Sequence, residues 1–184
     1  MNKWIAMGLA VGGLVLVAFA VAWNAGNAIP EDHEMRFTVA SQQGPAAVWA
    51  VVSDLEGQPA WRKDLEAVEQ IEDIAGKPAW REDTTAGSST TMVTAMWSPP
   101  HSLRRDIVSD GYLMGSWRID LVPEGMGTRI SLVERGHTPN PIARLINARV
   151  GGVGSEGQTY LRFLADHLGD AKNKVVAVDS VPAE

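Results

Sequence analysis

The chain is 184 residues long, with a formal net charge of −6 and no cysteine, which fits one ordinary globular domain with further segments at its ends. The acidic balance, without a cluster of Lys and Arg to meet phosphates, argues against nucleic acid as a partner. With no cysteine there is neither disulfide nor thiolate chemistry, and composition leaves the redox compartment open.

The first element is the run Trp4 to Trp23 (WIAMGLAVGGLVLVAFAVAW), which carries no charge. At about 1.5 Å per helical residue it is long enough to cross a hydrocarbon layer of about 30 Å. Indole rings favour the membrane interface and stand at both ends, while Lys3 and the terminal amine orient the N-terminus to the cytoplasm. Residues 1–23 are expected to form a single-pass transmembrane anchor, with the rest on the extracytoplasmic (periplasmic) side. Ala18-x-Ala20 and Ala20-x-Ala22 also fit signal cleavage, but the run exceeds a usual h-region of about 7–15 residues. Residues 24–34 (NAGNAIPEDHE) are polar, contain Gly and Pro, and read as a tether.

From Met35 to Ala40 the alternation of Met35, Phe37 and Val39 with Arg36 and Thr38 has the period of a half-buried strand. The stretch WAVVSDLEGQPAW follows at 49–61. Gly44 and Pro45 suit a helix start, Val48, Val51, Val52 and Leu55 form its apolar stripe, and Gly57 with Pro59 stops it between two tryptophans. Beyond Trp61 strands recur at hairpin spacing: 65–72, 78–84, 89–98, 102–109, 115–122 and 127–136. Asn140 and Pro141 begin a long C-terminal helix whose face includes Ile142, Leu145, Ile146, Leu161, Leu164 and Leu168. The segment 170–184 is expected to be a disordered tail.

Several separated blocks, GPAAVWAVVSDLEGQPAWRKDLEAVE, SPPHSLRRDI, GSWRIDLVPEGMGTRISLVERG and NPIARLI, resemble the SRPBCC superfamily (START-like, polyketide cyclase/dehydrase and lipid transport), and in particular its members with one N-terminal membrane helix. The resemblance covers 35–169. It implies an α+β helix-grip (Bet v 1/START-like) fold, in which a curved antiparallel sheet of about seven strands surrounds a long C-terminal helix and leaves a cavity. Trp49 and Trp61 would then pack the broken helix as a lid over the end of that cavity.

Alternation directs several unusual side chains inward. Arg105 shares a face with Leu103 and Ile107, Glu134 with Ile130 and Leu132, and Glu82 with Trp80. A buried charge needs a partner, so these residues are either structural ion pairs or the groups that orient a ligand's polar head. Of the tryptophans, Trp80 and Trp97 are the better candidates to line a pocket for a flat or greasy ligand, with Trp117 closer to plain core. His137, between the last strand and the terminal helix, could serve as an acid or base at a cavity rim.

No HxH or HExxH spacing occurs, so no metal site is expected, and without G-x-S-x-G no hydrolase elbow. Gly152, Gly154 and Gly157 form a G-x-G-x-x-G, but a helical run precedes it where dinucleotide binding requires a strand, so no cofactor is expected. These glycines weaken the terminal helix instead, at about 1 kcal/mol each relative to alanine, and predict a break near Gly151 to Gly154. The expected function is membrane-anchored binding, with possible transfer, of a hydrophobic small molecule or lipid. The alternatives are a polyketide cyclase/dehydratase-like enzyme using Arg105, Glu134 or His137, and an interaction module with a filled interior.

Overall fold

A computed structural model describes residues 3–109, 112–150 and 155–178. In chain order the elements are α1 (Lys3–Asn27), β1 (Asp32–Ser41), α2 (Pro45–Ser53), a 3-10 turn (Gln58–Ala60), β2 (Leu65–Ile74), β3 (Lys77–Thr84), β4 (Ser89–Ser98), β5 (Ser102–Ser109), β6 (Tyr112–Glu124), β7 (Gly127–His137), α3 (Pro141–Val150), α4 (Ser155–His167) and β8 (Val176–Val178). They form two compact units: Met1–Asp32 with Thr138–Val153, and His33–His137 with Gly154–Glu184.

In the first unit α1 packs against α3. Gly26 makes the close approach possible, since a Cβ there would stand 1.9 Å from the Pro141 carbonyl oxygen. Asn140 caps α3, its Oδ1 accepting the Ile142 and Ala143 N–H groups at 2.9 and 3.1 Å, as helix starts require. Buried Arg144 donates from Nε to the Gly26 carbonyl at 3.2 Å and from Nη2 to Asn27 at 3.1 Å, and its Nη1 pairs with Glu31 at 2.8 Å. Elsewhere α1 exposes apolar side chains, Leu14 and Leu16 at 71% among them. Among the described residues no helix is long and apolar enough to cross a membrane.

The second unit is built on a sheet in the order β2-β3-β4-β5-β6-β7-β1-β8. The pairings from β2 through β7, and that of β1 with β8, are antiparallel. Turn chemistry matches the hairpins: Ala75 and Gly76 both take positive φ, 51° and 73°, as a tight two-residue connection demands. The inner face contributes Phe37, Val39, Ile119, Leu121, Ile130 and Leu132 to one core with Leu161, Leu164 and Ala165 of α4. Each such side chain gains about 1.5–3 kcal/mol from burial. The broken helix belongs to this core through Val48 and Val52, which are fully buried. Asp54 Oδ1 accepts the Gly57 N–H at 3.1 Å and holds the break.

The structure departs from the sequence reading in three places. The expected single C-terminal helix is two helices, α3 and α4; the expected break at Gly151 to Gly154 lies outside the described residues, and the helices end and begin on either side of it. The stretch from Asp170, expected to be disordered, is ordered through Val178. Buried Asp170 accepts the Ser41 hydroxyl at 2.5 Å and the Gln42 N–H at 3.3 Å, and Val176–Val178 pairs with Arg36–Thr38. The physical reason is the edge of β1, whose unpaired backbone groups recruit a strand; positions 179–184 lie outside the described residues. Finally, the expected tether is partly helix and partly strand, because α1 continues to Asn27 and β1 begins at Asp32.

Candidate functional site

Between the β2–β5 part of the sheet, Trp117 of β6 and the first turns of α4 lies an open cavity of about 350 Å³. Its lining combines apolar Met92, Ile107 and Trp117 with hydroxyls such as Thr84 and Thr90 and the charged groups Arg62, Glu82 and Glu156. A space of this size with a mixed apolar and polar lining has the character of a small-molecule site, for which about 300–1,000 Å³ is usual.

Alternation along β3 and β5 turns Glu82 and Arg105 toward the interior, and both are buried. They meet as an ion pair, Arg105 Nη1 donating to Glu82 Oε1. Glu82 Oε2 accepts a second bond, from Arg62 Nη1 at 3.1 Å. Arg62, delivered by the turn after α2, also donates to Gln58 Oε1 at 3.1 Å and to Asp64 Oδ2 at 2.7 Å. Its guanidinium lies over the rings of Trp117 and Tyr160, 5.7 and 5.3 Å from their centroids, a favourable place for a desolvated cation. Burial works against the charge on Arg62, but Asp64 and Glu82 outweigh it, and its pKa is raised.

Two other groups have displaced pKa values. Burial raises the Tyr160 phenol well above its ordinary range, against the pull of Arg62 and Arg105, so it stays protonated. Although Glu156 is largely exposed as a residue, its carboxyl borders the cavity. Lost hydration, with Glu134, Asp64 and Glu82 nearby, raises its pKa above the ordinary value of 4.5, while Arg62 opposes the shift. A raised carboxyl binds its proton more tightly in the folded state, so its stabilising effect is present at low pH and fades as pH rises through the raised pKa. Glu156→Gln should therefore gain on the wild type as pH rises from the ordinary carboxyl range through the raised pKa, by less than about 1 kcal/mol because solvent screens the site. Urea unfolding across that interval checks this.

Of the residues singled out from sequence, the structure brings Glu82, Arg105 and Trp117 together at this site. Glu134 is buried beside the start of α4, accepting the Gly157 N–H at 2.9 Å, with His33 Nε2 at 3.9 Å. This is the stabilising arrangement for an anion at a helix N-terminus. Trp80 packs with Leu55, Leu65, Val68 and Leu103, and Trp97 stands edge-on to Trp49, with ring centroids 5.3 Å apart. These three and His137, at the end of β7, are not part of the cavity lining. Trp61 lies in the core against Tyr160 and His167 rather than over a cavity end.

Sequence reasoning missed Arg62, Tyr160 and Glu156. Arg62 sits in a turn, where no periodicity assigns a face; Tyr160 was legible, one helical turn before Leu164 on the buried stripe of α4. Among the described residues no group of three His, Asp or Glu could hold a metal ion.

The outer face of the sheet bears a second hollow of about 650 Å³, lined by Arg36, Arg104, Arg118 and Arg135. Each arginine is paired with a carboxylate: Arg104–Asp106 at 2.8 Å, Arg118–Asp120 at 3.0 Å, and Arg135 and Arg36 with Glu34 at 2.7 and 3.5 Å. Such ladders are the usual solvated face of an antiparallel sheet.

An antiparallel sheet closed on a C-terminal helix, with a cavity between them, defines the START-like helix-grip class. The chain belongs to the polyketide cyclase/dehydrase and lipid transport family, whose model matches residues 32–169. Among solved structures it is similar to a START superfamily protein from Mycobacterium smegmatis, at 19% identity and a TM-score of 0.57, covering 74% of this chain and 97% of that one. It is also similar to the Zhui aromatase/cyclase from Streptomyces sp. R1128, at 17% identity and a TM-score of 0.57, covering 77% and 94%. The di-domain aromatase/cyclase StfQ of the steffimycin biosynthetic pathway aligns at 12% identity and a TM-score of 0.58 over 77% of this chain, which spans 52% of that protein. At these identities the likeness is one of fold. No curated protein matches the chain.

Proposed function

We propose that the protein binds a hydrophobic small molecule or single-chain lipid in the cavity between sheet and α4, and that the N-terminal run holds it at a membrane. The observation that carries this reading is the open space of about 350 Å³ whose lining combines apolar side chains with a few polar and charged ones. That volume suits a ring-sized body or one folded chain and is at the low end for ligand pockets. It also weighs against the reading of a filled interaction module. Support for the membrane comes from the uncharged run Trp4 to Trp23 and from the apolar side chains that α1 exposes; Lys3 favours an extracytoplasmic domain.

Mass spectrometry of an organic extract of the purified full-length protein tests the reading. One predominant small amphiphile, in near-stoichiometric amount, is expected. An empty extract from a protein that also takes up neither a fatty acid nor a naphthalene would sink it.

One observation favours a second reading, a cyclase/dehydratase-like enzyme. Glu156 offers a carboxyl of raised pKa in the cavity lining, suited to holding or moving a proton, with the Arg62 guanidinium in the same lining to polarise a carbonyl. The aromatase/cyclases among the structural relatives fit this reading equally well.

A further inference from the structure

Two residues beside the cavity, Arg105 and Tyr160, carry buried side-chain donors without a partner. Arg62 and Trp117 line the open cavity and also border a small recess of about 10 Å³, completed by Gln58, Leu103, Arg105, Ile119 and Tyr160. Tyr160 is 3% exposed, and its hydroxyl has no partner. Arg105 is 6% exposed; Nη1 is spent on Glu82, while Nε and Nη2 have none. Around them Glu82 accepts from both guanidiniums and Gln58 Oε1 from Arg62. Trp80 Nε1 and Thr94 Oγ1 are also unpaired, but they do not border this recess.

Leaving a buried donor unsatisfied costs about 1–3 kcal/mol, and more at a charged group. Arg105 and Tyr160, which carry these donors, both line the hollow, and so favour a guest that supplies an acceptor. The hollow is about the size of one oxygen atom, since a cavity needs about 10–15 Å³ to hold a water. A carbonyl or carboxylate oxygen only accepts, and so it matches the lining.

We propose that this recess receives one carbonyl or carboxylate oxygen of the ligand, whose apolar, ring-sized body lies in the open cavity against Trp117, Met92 and Ile107. This rests on the ligand-binding reading above and narrows it to aryl or cyclic acids and ketones. Arg62 stands between the two spaces. Trp117 likewise lines both, so the ligand's body and its oxygen fall on either side of these two residues.

The test compares two probes with the same ring, 2-naphthoate and 2-methylnaphthalene, titrated into the full-length protein and followed by tryptophan fluorescence. 2-Naphthoate is expected to bind at least about tenfold more tightly, the effect of hydrogen bonds to a charged acceptor. Tyr160→Phe keeps the ring and its packing. It should weaken 2-naphthoate about fivefold to tenfold and leave 2-methylnaphthalene within about twofold, with an unchanged melting temperature confirming the fold. Equal binding of the two probes, or no loss for 2-naphthoate in Tyr160→Phe, overturns the oxygen recess while leaving the cavity as an apolar-ligand site. A crystal structure of the 2-naphthoate complex with water still in the recess overturns it equally. Failure of both probes to bind sinks the ligand-binding reading and this inference with it.

Discussion

Replacing Glu82 with alanine is expected to cost about 3–5 kcal/mol of folding stability, the usual effect of leaving a buried charge uncompensated. Glu82 accepts from both Arg62 and Arg105, and all three residues are buried. After the substitution Arg62 keeps Asp64 and Gln58, but Arg105 keeps nothing, since its other nitrogens are already without acceptors. The loss should appear as a lower urea midpoint with an unchanged slope. The triple variant Arg62→Met, Glu82→Leu, Arg105→Met removes the three buried charges of this cluster at once. It should lie within about 1 kcal/mol of the wild type or above it, because apolar groups of similar volume often replace buried ion pairs at no net cost. A Glu82→Ala loss below about 1 kcal/mol would mean that the cluster is hydrated and that the buried pairing described above is incorrect. The comparison also separates stability from function: a triple variant that folds well yet has lost ligand binding shows that the charges are kept for recognition.

How much of this was legible in the sequence varied with the kind of signal each residue carried. Alternation and turn residues placed the strands from β2 to β7 within a few positions, because a half-buried strand must obey a period of two. The same alternation turned Glu82 and Arg105 inward. It could not pair them, since they stand on β3 and β5 with β4 between, and their meeting depends on two registers at once. One of those registers shifts at Thr94/Met96, so Met96 and Trp97 exchange the faces that simple alternation would give them. Arg62 lies in a turn without any period. β8 is three residues of Val-Ala-Val whose position is set by Asp170 at Ser41, far away in sequence. Contacts of that kind leave no local pattern to read.

Trp61→Ala should cost about 3–5 kcal/mol, the range for removing a large aromatic side chain from a core, whereas Trp49→Ala should cost about 1–2 kcal/mol, nearer to one aromatic pair plus partial burial. The two tryptophans flank the same broken helix, but their surroundings differ. Trp61 is buried, edge-on to Tyr160 at 5.4 Å and stacked on His167 at 5.9 Å, so it joins the end of the break to two successive turns of α4. Trp49 is half-buried, and its aromatic neighbour Trp97 is 48% exposed. Guanidinium unfolding of the two variants checks the order, and equal losses would show that the break is held from both ends. The difference bears on the cavity as well. Tyr160 is fixed between Trp61 and Trp117, both edge-on, and its hydroxyl borders the recess beside Arg105. With Trp61 gone the phenol loses one of the two rings that hold it. Trp61→Ala is therefore expected to reduce the preference for 2-naphthoate over 2-methylnaphthalene even where the protein remains folded, while Trp49→Ala leaves that preference intact.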